Sequence, residues 1–402
     1  MPLDLGETML QLDRVGQNLG RSQQLREDRL RAFLDAASEV SAATAAEKTA
    51  FDPDRPFLAA QVTDTLLGKY APAPPPQDWC VAAVDGSHID VDRHLPLSCY
   101  LVNLGGCTLT YGSQPDASFF SHPEVSDDSG DLYLTDPNNP AQEAALTGPL
   151  LGLHRTVREL ERLVQAVEDC PAELPILALV DGSLVLWGLS GRAYPPFVKE
   201  ALVQDRLLVA LSRMRDMSER RPLALAAYVS LPRSTEVVNA ARTCLCPFEV
   251  GRCRRSCSNR RSSLSPCNLA NELLDRDLFQ RILEPGWRSA VYRTNSSVPR
   301  ESYGDQQICF FYLHAGEEIA RVEIPQWVAN DEKLLALSHS LILDQCQRGQ
   351  GYPVAISEAH EQAVITGADR QLFKQIVSNI LDREGLPTYT SEKERSKRTP
   401  WV

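Results

Sequence analysis

Two copies of one phrase carry the first chemical signal in the chain. Val84-Asp85-Gly86-Ser87 follows an apolar run at 80–83, and Val180-Asp181-Gly182-Ser183 follows another at 174–179. A run apolar on both faces reads as a strand buried inside a sheet. Gly then lets the backbone leave the strand at positive φ and lets another group approach closely. The pattern predicts, twice, one carboxylate at the carboxyl end of a central strand, where open α/β sheets place ligands. Two such carboxylates side by side repel each other unless positive charge sits between them. A hard divalent cation with oxygen ligands supplies that charge. Asp-Gly is also the commonest hairpin turn signal, so one copy alone would read as a turn.

An imidazole stands in the C-terminal third. His360 lies among Ser357, Glu358 and Glu361, just after Gly351-Tyr352-Pro353. That is a polar helix start and not a core face. Carboxylate, water and imidazole ligands suit magnesium and manganese, and imidazole favours manganese. A second cluster is made of thiols. Cys244, Cys246, Cys253, Cys257 and Cys267 are separated by one, six, three and nine residues, with Arg252, Arg254, Arg255, Arg260 and Arg261 among them. Zinc or an iron–sulfur cluster is the expectation there, although the spacing is not a standard pair of knuckles; a reduced, metal-free loop is the alternative. The arginines would lower the thiol pKa values and could touch phosphates.

Composition sets the bounds. The chain has 402 residues, 43% hydrophobic, with 11 cysteines and a net charge of −12. This is room for one large domain with additions, or two. The charge argues against a general basic coat for nucleic acid but leaves a local groove open. No stretch approaches the roughly 18 apolar residues of a membrane span, and the first residues lack a secretory signal. The expectation is a cytoplasmic protein with mostly reduced thiols.

The elements that must hold these residues can be read along the chain. A helix is expected over 19–48 and a second over 58–69, followed by the stiff Pro-rich linker 71–76. Residues 1–76 thus read as a helical appendage, and 77–402 as the main domain, with a cysteine-rich insertion at 243–268. Strands are expected at 81–84, 97–103 and 108–111, with Gly105-Gly106 as the turn between the last two, then a long loop over 113–140. A helix over 147–167 has the stripe Leu153, Val157, Leu160, Val164 and Val167. Strand 174–180, helix 197–213 and strand 223–229 follow, then a helix at 273–283, strands at 307–313 and 319–324, and helices at 331–346 and 354–365. The main domain is therefore α/β, with an antiparallel start and a parallel continuation.

Three strands, a helix and a strand parallel to the first, with Asp on the first and last, is the arrangement of RNase H-like nucleases: a mixed sheet with flanking helices. Such sites need a third carboxylate from the helix. Glu159 and Glu161 are the candidates. Glu161 flanks the apolar stripe on the side of Val157 and Val164 and is preferred; Glu143 is the remaining alternative. Two oxygen-ligated ions about 4 Å apart would activate water and stabilise the leaving oxygen of a phosphodiester.

At this point the sequence resembles the NurA nucleases, which act with the HerA translocase in DNA end processing. The resemblance rests on the two Val-Asp-Gly-Ser phrases, on Tyr228-Val229-Ser230-Leu231-Pro232-Arg233-Ser234, on Ala320-Arg321-Val322-Glu323-Ile324-Pro325, on Gly351-Tyr352-Pro353, on Glu358-Ala359-His360 and on Ser396-Lys397-Arg398. It implies an RNase H-like fold and manganese-dependent DNA cleavage in end resection and repair, exonucleolytic from 5′ ends and endonucleolytic on single strands. It also implies a homodimer that stacks on a hexameric ATPase. Asp85 and Asp181 match the family's metal-binding aspartates, and Tyr352 and His360 its C-terminal tyrosine and histidine. No motif fixes the helical Glu, and the cysteine insertion is outside the family pattern.

The reading is then a metal-dependent DNA nuclease with water as nucleophile. Asp85, Asp181 and Glu161 hold manganese or magnesium. His360 is a ligand or proton carrier, and Tyr352 positions a phosphate or the water. Arg233 and Lys397 are candidate phosphate contacts. Two readings compete: a non-catalytic DNA-binding adaptor with a degenerate nuclease fold, and an actin-like ATPase, for which no second phosphate loop or adenine site is found.

Overall fold

The computed structural model describes residues 4–91, 97–127, 131–247 and 266–386, apart from the side chains of 17–22 and 266. The chain divides into two compact units. One gathers Met1–Pro72, Val229–Ser296 and Cys309–Val322; the other gathers Ala73–Tyr228, Ser297–Ile308 and Glu323–Val402. The expected boundary at 76 falls near the first division, but the N-terminal segment is built into a unit with two later stretches.

In the first unit, α1 (Leu5–Ser38) and α2 (Ala42–Thr49) replace the single helix expected over 19–48. The break comes at Ser41, whose hydroxyl caps the second helix by accepting from Thr44 N. The helix expected over 58–69 does not form. β1 (Gln61–Val62) and β2 (Lys69–Tyr70) lie there instead, and each pairs with a strand more than two hundred residues away. Long-range pairing has overridden a weak local preference.

The second unit begins with three long antiparallel strands: β3 (Trp79–Ile89), β4 (Cys99–Tyr111) and β5 (Asp116–Asp127). The hairpin β6 (Tyr133–Asp136) and β7 (Asn139–Ala145) follows. Next come α3 (Pro149–Glu168) and β8 (Ile176–Asp181), parallel to β3. Then α4 (Pro196–Lys199) runs through a π-helical stretch, Glu200–Leu207, into α5 (Leu208–Ser218). β9 (Leu223–Val229) lies parallel to β8. The order β5-β4-β3-β8-β9 makes a mixed sheet with flanking helices. Its core joins Cys80, Ala82 and Val84 to Val157, Leu160, Leu163, Val164 and Val167 of α3.

Three expectations need correction. Gly105-Gly106 is not a turn; it lies in the middle of β4. The region 113–140 is not a long loop but holds β5 and the start of a hairpin. β3 does not end at Asp85; it continues through Gly86 to Ile89, because β4 pairs with it along that whole length.

Returning to the first unit, α6 (Glu236–Leu245) precedes β10 (Arg288–Ser289) and β11 (Tyr292–Arg293), which pair with β2 and β1. β12 (Ile308–His314) pairs with β11, and β13 (Ile319–Pro325) lies next to β12. Phe33, Leu66, Val237, Phe279, Tyr292, Phe310 and Tyr312 form the core. Arg321 and Glu236 make a buried ion pair of 2.7 Å, with Arg321 stacked 3.7 Å from the Phe310 ring. The later part of the second unit is helical: Glu332–Arg348, Val354–Ala363 and Gly367–Arg383. Among the described residues, no helix is long and apolar enough to cross a membrane.

Candidate active site

The parallel register of β3 and β8 brings the two phrases together. Val84 lies opposite Val180 as the last registered pair, so Asp85 and Asp181 are the next residues on neighbouring strands. After Asp181 the chain does turn away: Gly182 has φ +92° and donates its N–H to the Tyr228 carbonyl at 2.9 Å. The loop is fixed by a buried carboxylate. Glu323 accepts from Ser183 Oγ at 2.7 Å and from Leu184 N at 3.0 Å, while Ser183 Oγ accepts from Trp187 Nε1 at 3.0 Å. Ser183 of the second phrase is thus a bracing residue.

In the first phrase, glycine serves close approach. A Cβ on Gly86 would stand 2.6 Å from Glu159 Oε1 and about 3 Å from the Arg155 stem, at 3.1 and 3.2 Å from its Cγ and Cδ. The absent side chain is what lets α3 bring Glu159 against β3. Glu159 is 6% exposed, and Arg155 Nε lies 2.9 Å from its Oε1. The approach is off the N–H axis, so both atoms are buried without a hydrogen bond.

The helix Val354–Ala363 brings His360. It lies directly on β3 and β4 because Gly105 leaves room for backbone: a Cβ there would stand 2.1 Å from Ala363 N. Ser87 Oγ donates to the Ala363 carbonyl at 2.6 Å, and Asn103 Nδ2 donates to the same oxygen at 3.0 Å. At the other end, buried Gln345 accepts from Ala355 N at 2.9 Å. Held this way, His360 Nδ1 lies 2.8 Å from Asp85 Oδ2. Tyr352, set by the tight turn before the helix, donates its hydroxyl to Asp181 Oδ1 at 3.0 Å. Its ring stands edge-on to the buried ring of Tyr228, centroids 5.5 Å apart.

Burial pushes the Glu159 carboxyl up to about 8; Arg155 opposes this, and Asp85 and Asp181 add to it. Asp181 also lies above the ordinary aspartate range, although its side chain reaches solvent. Lost hydration is the main cause and Asp85 contributes, against the Tyr352 hydroxyl and His360. Asp85, Asp181 and Glu159 lie close enough for the two aspartates to raise Glu159, and Glu159 Oε1 is buried without a hydrogen-bond partner; three carboxylates so gathered form a donor set that fits a hard divalent cation. Each is now latched by a neighbour: Asp85 by His360, Asp181 by Tyr352 and Glu159 by Arg155. Among the described residues, no three such side chains stand in a ready metal-holding arrangement.

The preferred helical residue, Glu161, is elsewhere. It forms a two-pronged pair with Arg206, 2.7 Å on each prong, and a further contact with Arg158 at 3.1 Å. Burial alone would raise its carboxyl, but these guanidinium groups hold it below the usual range. It joins α3 to the π-helical stretch, and Glu159 stands beside the aspartates. Glu143 is exposed on β7.

Of the other expected residues, Arg233 is exposed and belongs to the first unit. Lys397, Cys253 and Cys257 lie outside the described residues. Cys244 and Cys246 are buried and Cys267 is exposed. Burial pushes the Cys244 thiol up to about 11, which favours SH over the thiolate that a metal needs. Lys48 donates to the carbonyls of Cys244 and Cys246, pinning the end of α6. The zinc or iron–sulfur expectation gains no support from these three. Sequence alone gives no role to Arg155 or His88, and Glu323 enters there only as a member of the 320–325 motif. The signal for Arg155 was available: it lies one helical turn before Glu159, at the spacing at which side chains meet.

Fold and site together define an α/β protein whose carboxylates gather at one end of two parallel strands. The sequence profile of the NurA domain family matches residues 80–365, and the chain belongs to that family. Among solved structures, it is similar to the NurA nuclease from Sulfolobus solfataricus, with 13% identity, a TM-score of 0.46, and coverage of 79% of this chain and 88% of that one. It is also similar to NurA with manganese, with 12% identity, a TM-score of 0.37, and coverage of 78% and 91%. A NurA bound to dAMP and manganese has 14% identity, a TM-score of 0.33, and coverage of 76% and 90%. No curated protein matches the chain.

Proposed function

We propose that this chain is a metal-dependent DNA nuclease. The observation that carries the reading is the meeting of Asp85, Asp181 and Glu159 with His360 and Tyr352 in one unit, from residues up to 275 positions apart. Family membership supports it, as does the family's having been seen with dAMP and manganese.

Asp85, Glu159 and Asp181 would hold manganese or magnesium, which would supply the positive charge that makes water a nucleophile and steadies the leaving oxygen. Glu159 must give up its proton to serve, and it is buried so that neighbouring charge decides whether it does. His360 commits Nδ1 to Asp85, so Nε2 is the nitrogen left to hold or move a proton. Tyr352 orients Asp181 through its hydroxyl and presents a polar group to the substrate.

The finer reading is exonucleolytic attack from 5′ ends and endonucleolytic attack on single strands, by a homodimer working with a HerA-type ATPase in DNA end repair. It rests on the family resemblance. The test is incubation with end-labelled single- and double-stranded DNA across magnesium, manganese and chelator. Cleavage that needs a divalent ion and fails in Asp85→Asn supports the reading. A protein that binds these DNAs and cuts none of them is an adaptor.

A further inference from the structure

We propose that Arg155 and His88 form a phosphate subsite beside the carboxylates, which Arg155 joins when Glu159 turns to a cation. The ligand class is the phosphodiester of a nucleic-acid strand, so the inference rests on the nuclease reading above.

Arg155 does not sit like an ordinary structural arginine. Its stem runs across Gly86, at the one place on β3 with no side chain. Its Nε reaches Glu159 Oε1 at 2.9 Å without making a hydrogen bond. A structural pair in so buried a place is normally aligned, because an unaligned one leaves both groups unsatisfied. Arg155 therefore supplies the positive charge beside Glu159 in the metal-free site, through an ion pair that is poorly aligned at Nε. It is also 30% exposed, so the guanidinium has a way out to solvent.

His88 already borders the guanidinium. Arg155 Nη1 lies 3.5 Å from His88 Nδ1, one strand step beyond Ser87 and further along β3 than Asp85. The ring is held toward its neutral form by burial and then by the charge of Arg155, against Asp90 and with a smaller contribution from Arg370. The Arg155 guanidinium, from a helix, and the His88 imidazole, from β3, thus meet beside the carboxylates, in a chain whose net charge is −12. A planar fork of donors is suited to phosphate oxygens, and a neutral imidazole adds a directed donor without further repulsion.

Release and capture are coupled in this arrangement. While Glu159 lacks a cation, Arg155 is engaged. Once the carboxylate is satisfied otherwise, Arg155 is free for a phosphate lying next to it. A site with its cation should bind a strand more tightly than one without, partly through this residue.

The test uses thymidine 5′-monophosphate, which has no phosphodiester to cleave. Calorimetry with manganese present compares wild type, Arg155→Gln and Arg155→Lys. Manganese binding without nucleotide is followed by electron paramagnetic resonance. Arg155→Gln should bind manganese at least as tightly as wild type and bind the nucleotide roughly tenfold more weakly, the usual effect of losing a charge-assisted hydrogen bond. Arg155→Lys should fall between, and guards against a folding defect in the glutamine variant. Unchanged nucleotide affinity in Arg155→Gln overturns the subsite. So does a fall in its manganese affinity, which would mean that Arg155 only braces Glu159. A wild type that neither binds manganese nor cleaves DNA fails the nuclease reading itself. A wild type that cleaves, beside an Arg155→Gln that binds nucleotide normally, fails only the subsite.

Discussion

Glu159 has lost its water and gained one oblique guanidinium, whereas Glu161, two residues on, has two well-aligned ones. The two should therefore respond oppositely to amidation. Glu159→Gln is expected to abolish metal-dependent cleavage. In the metal-free protein, the raised Glu159 value has a definite sign. The unfolded chain ionises this group near the ordinary 4.5 and the folded chain near 8, so its contribution to stability is full below pH 4.5 and lost as pH rises toward 8. Melting curves without metal should show that loss in wild type and a flatter profile in Glu159→Gln; parallel profiles would contradict the assignment. Glu161→Gln should retain cleavage and lose about 1–3 kcal/mol, because Arg206 is left half-buried with a weaker partner. A cleavage defect without a stability defect would return the metal role to Glu161. His360→Ala should lose at least roughly tenfold in rate or manganese affinity, and normal cleavage at limiting manganese would make the imidazole structural. Tyr352→Phe isolates the hydroxyl that reaches Asp181.

The elements show why sequence favours Glu161 while the structure places Glu159 beside the aspartates. Outside the expected apolar stripe, α3 also buries Leu163 and Ala166. They follow Glu159 by four and seven residues, so the full buried face includes Glu159 and leaves Glu161 at its edge. The two buried strands, α3, β9 and the two later helices were legible, because long apolar runs and 3.6-residue stripes are strong local signals. The continuous β4 was not, because Gly105 and Gly106 are turn residues by composition and strand residues only through what packs on them. Nor were β1 and β2, whose partners lie in a distant segment. Gly105 has a measurable consequence. Adding a methyl there meets the Ala363 backbone, which has no rotamer to yield, so the helix Val354–Ala363 must lift and take His360 from Asp85. Gly105→Ala should cost about 1–3 kcal/mol, in the range of an overpacked core. It should reduce cleavage at least as far as His360→Ala does. A variant that melts like wild type and cleaves normally would show that this close approach does not hold the histidine.

At the scale of the whole molecule, chemistry and charge point in different directions. The carboxylate site needs a polyanion brought against it, and the chain carries a net charge of −12. Long-range steering toward DNA should be weak or repulsive, and binding must rest on a few local contacts. The proposed subsite at Arg155 and His88 would be such a place in the second unit, and Arg233 is an exposed cation in the first. Contacts of this kind exchange with counterions, so affinity falls as salt rises, by a log–log slope of about 0.7 per phosphate on single strands and about 0.9 on duplex. A nuclease with this balance should act poorly on duplex alone and gain from anything that feeds DNA to it. The family resemblance names such a feeder, a ring ATPase of the HerA type. The isolated protein is therefore expected to cut duplex DNA slowly, and more slowly as salt rises. With the ATPase and hydrolysable ATP it should cut much faster, and a non-hydrolysable analogue should give little of that gain, since delivery needs turnover and not mere contact. Rates on labelled duplex across a salt series, with and without the ATPase, decide the matter. Rapid digestion by the isolated protein at physiological salt, unchanged by the ATPase, would remove the need for delivery while leaving the carboxylate chemistry as it stands.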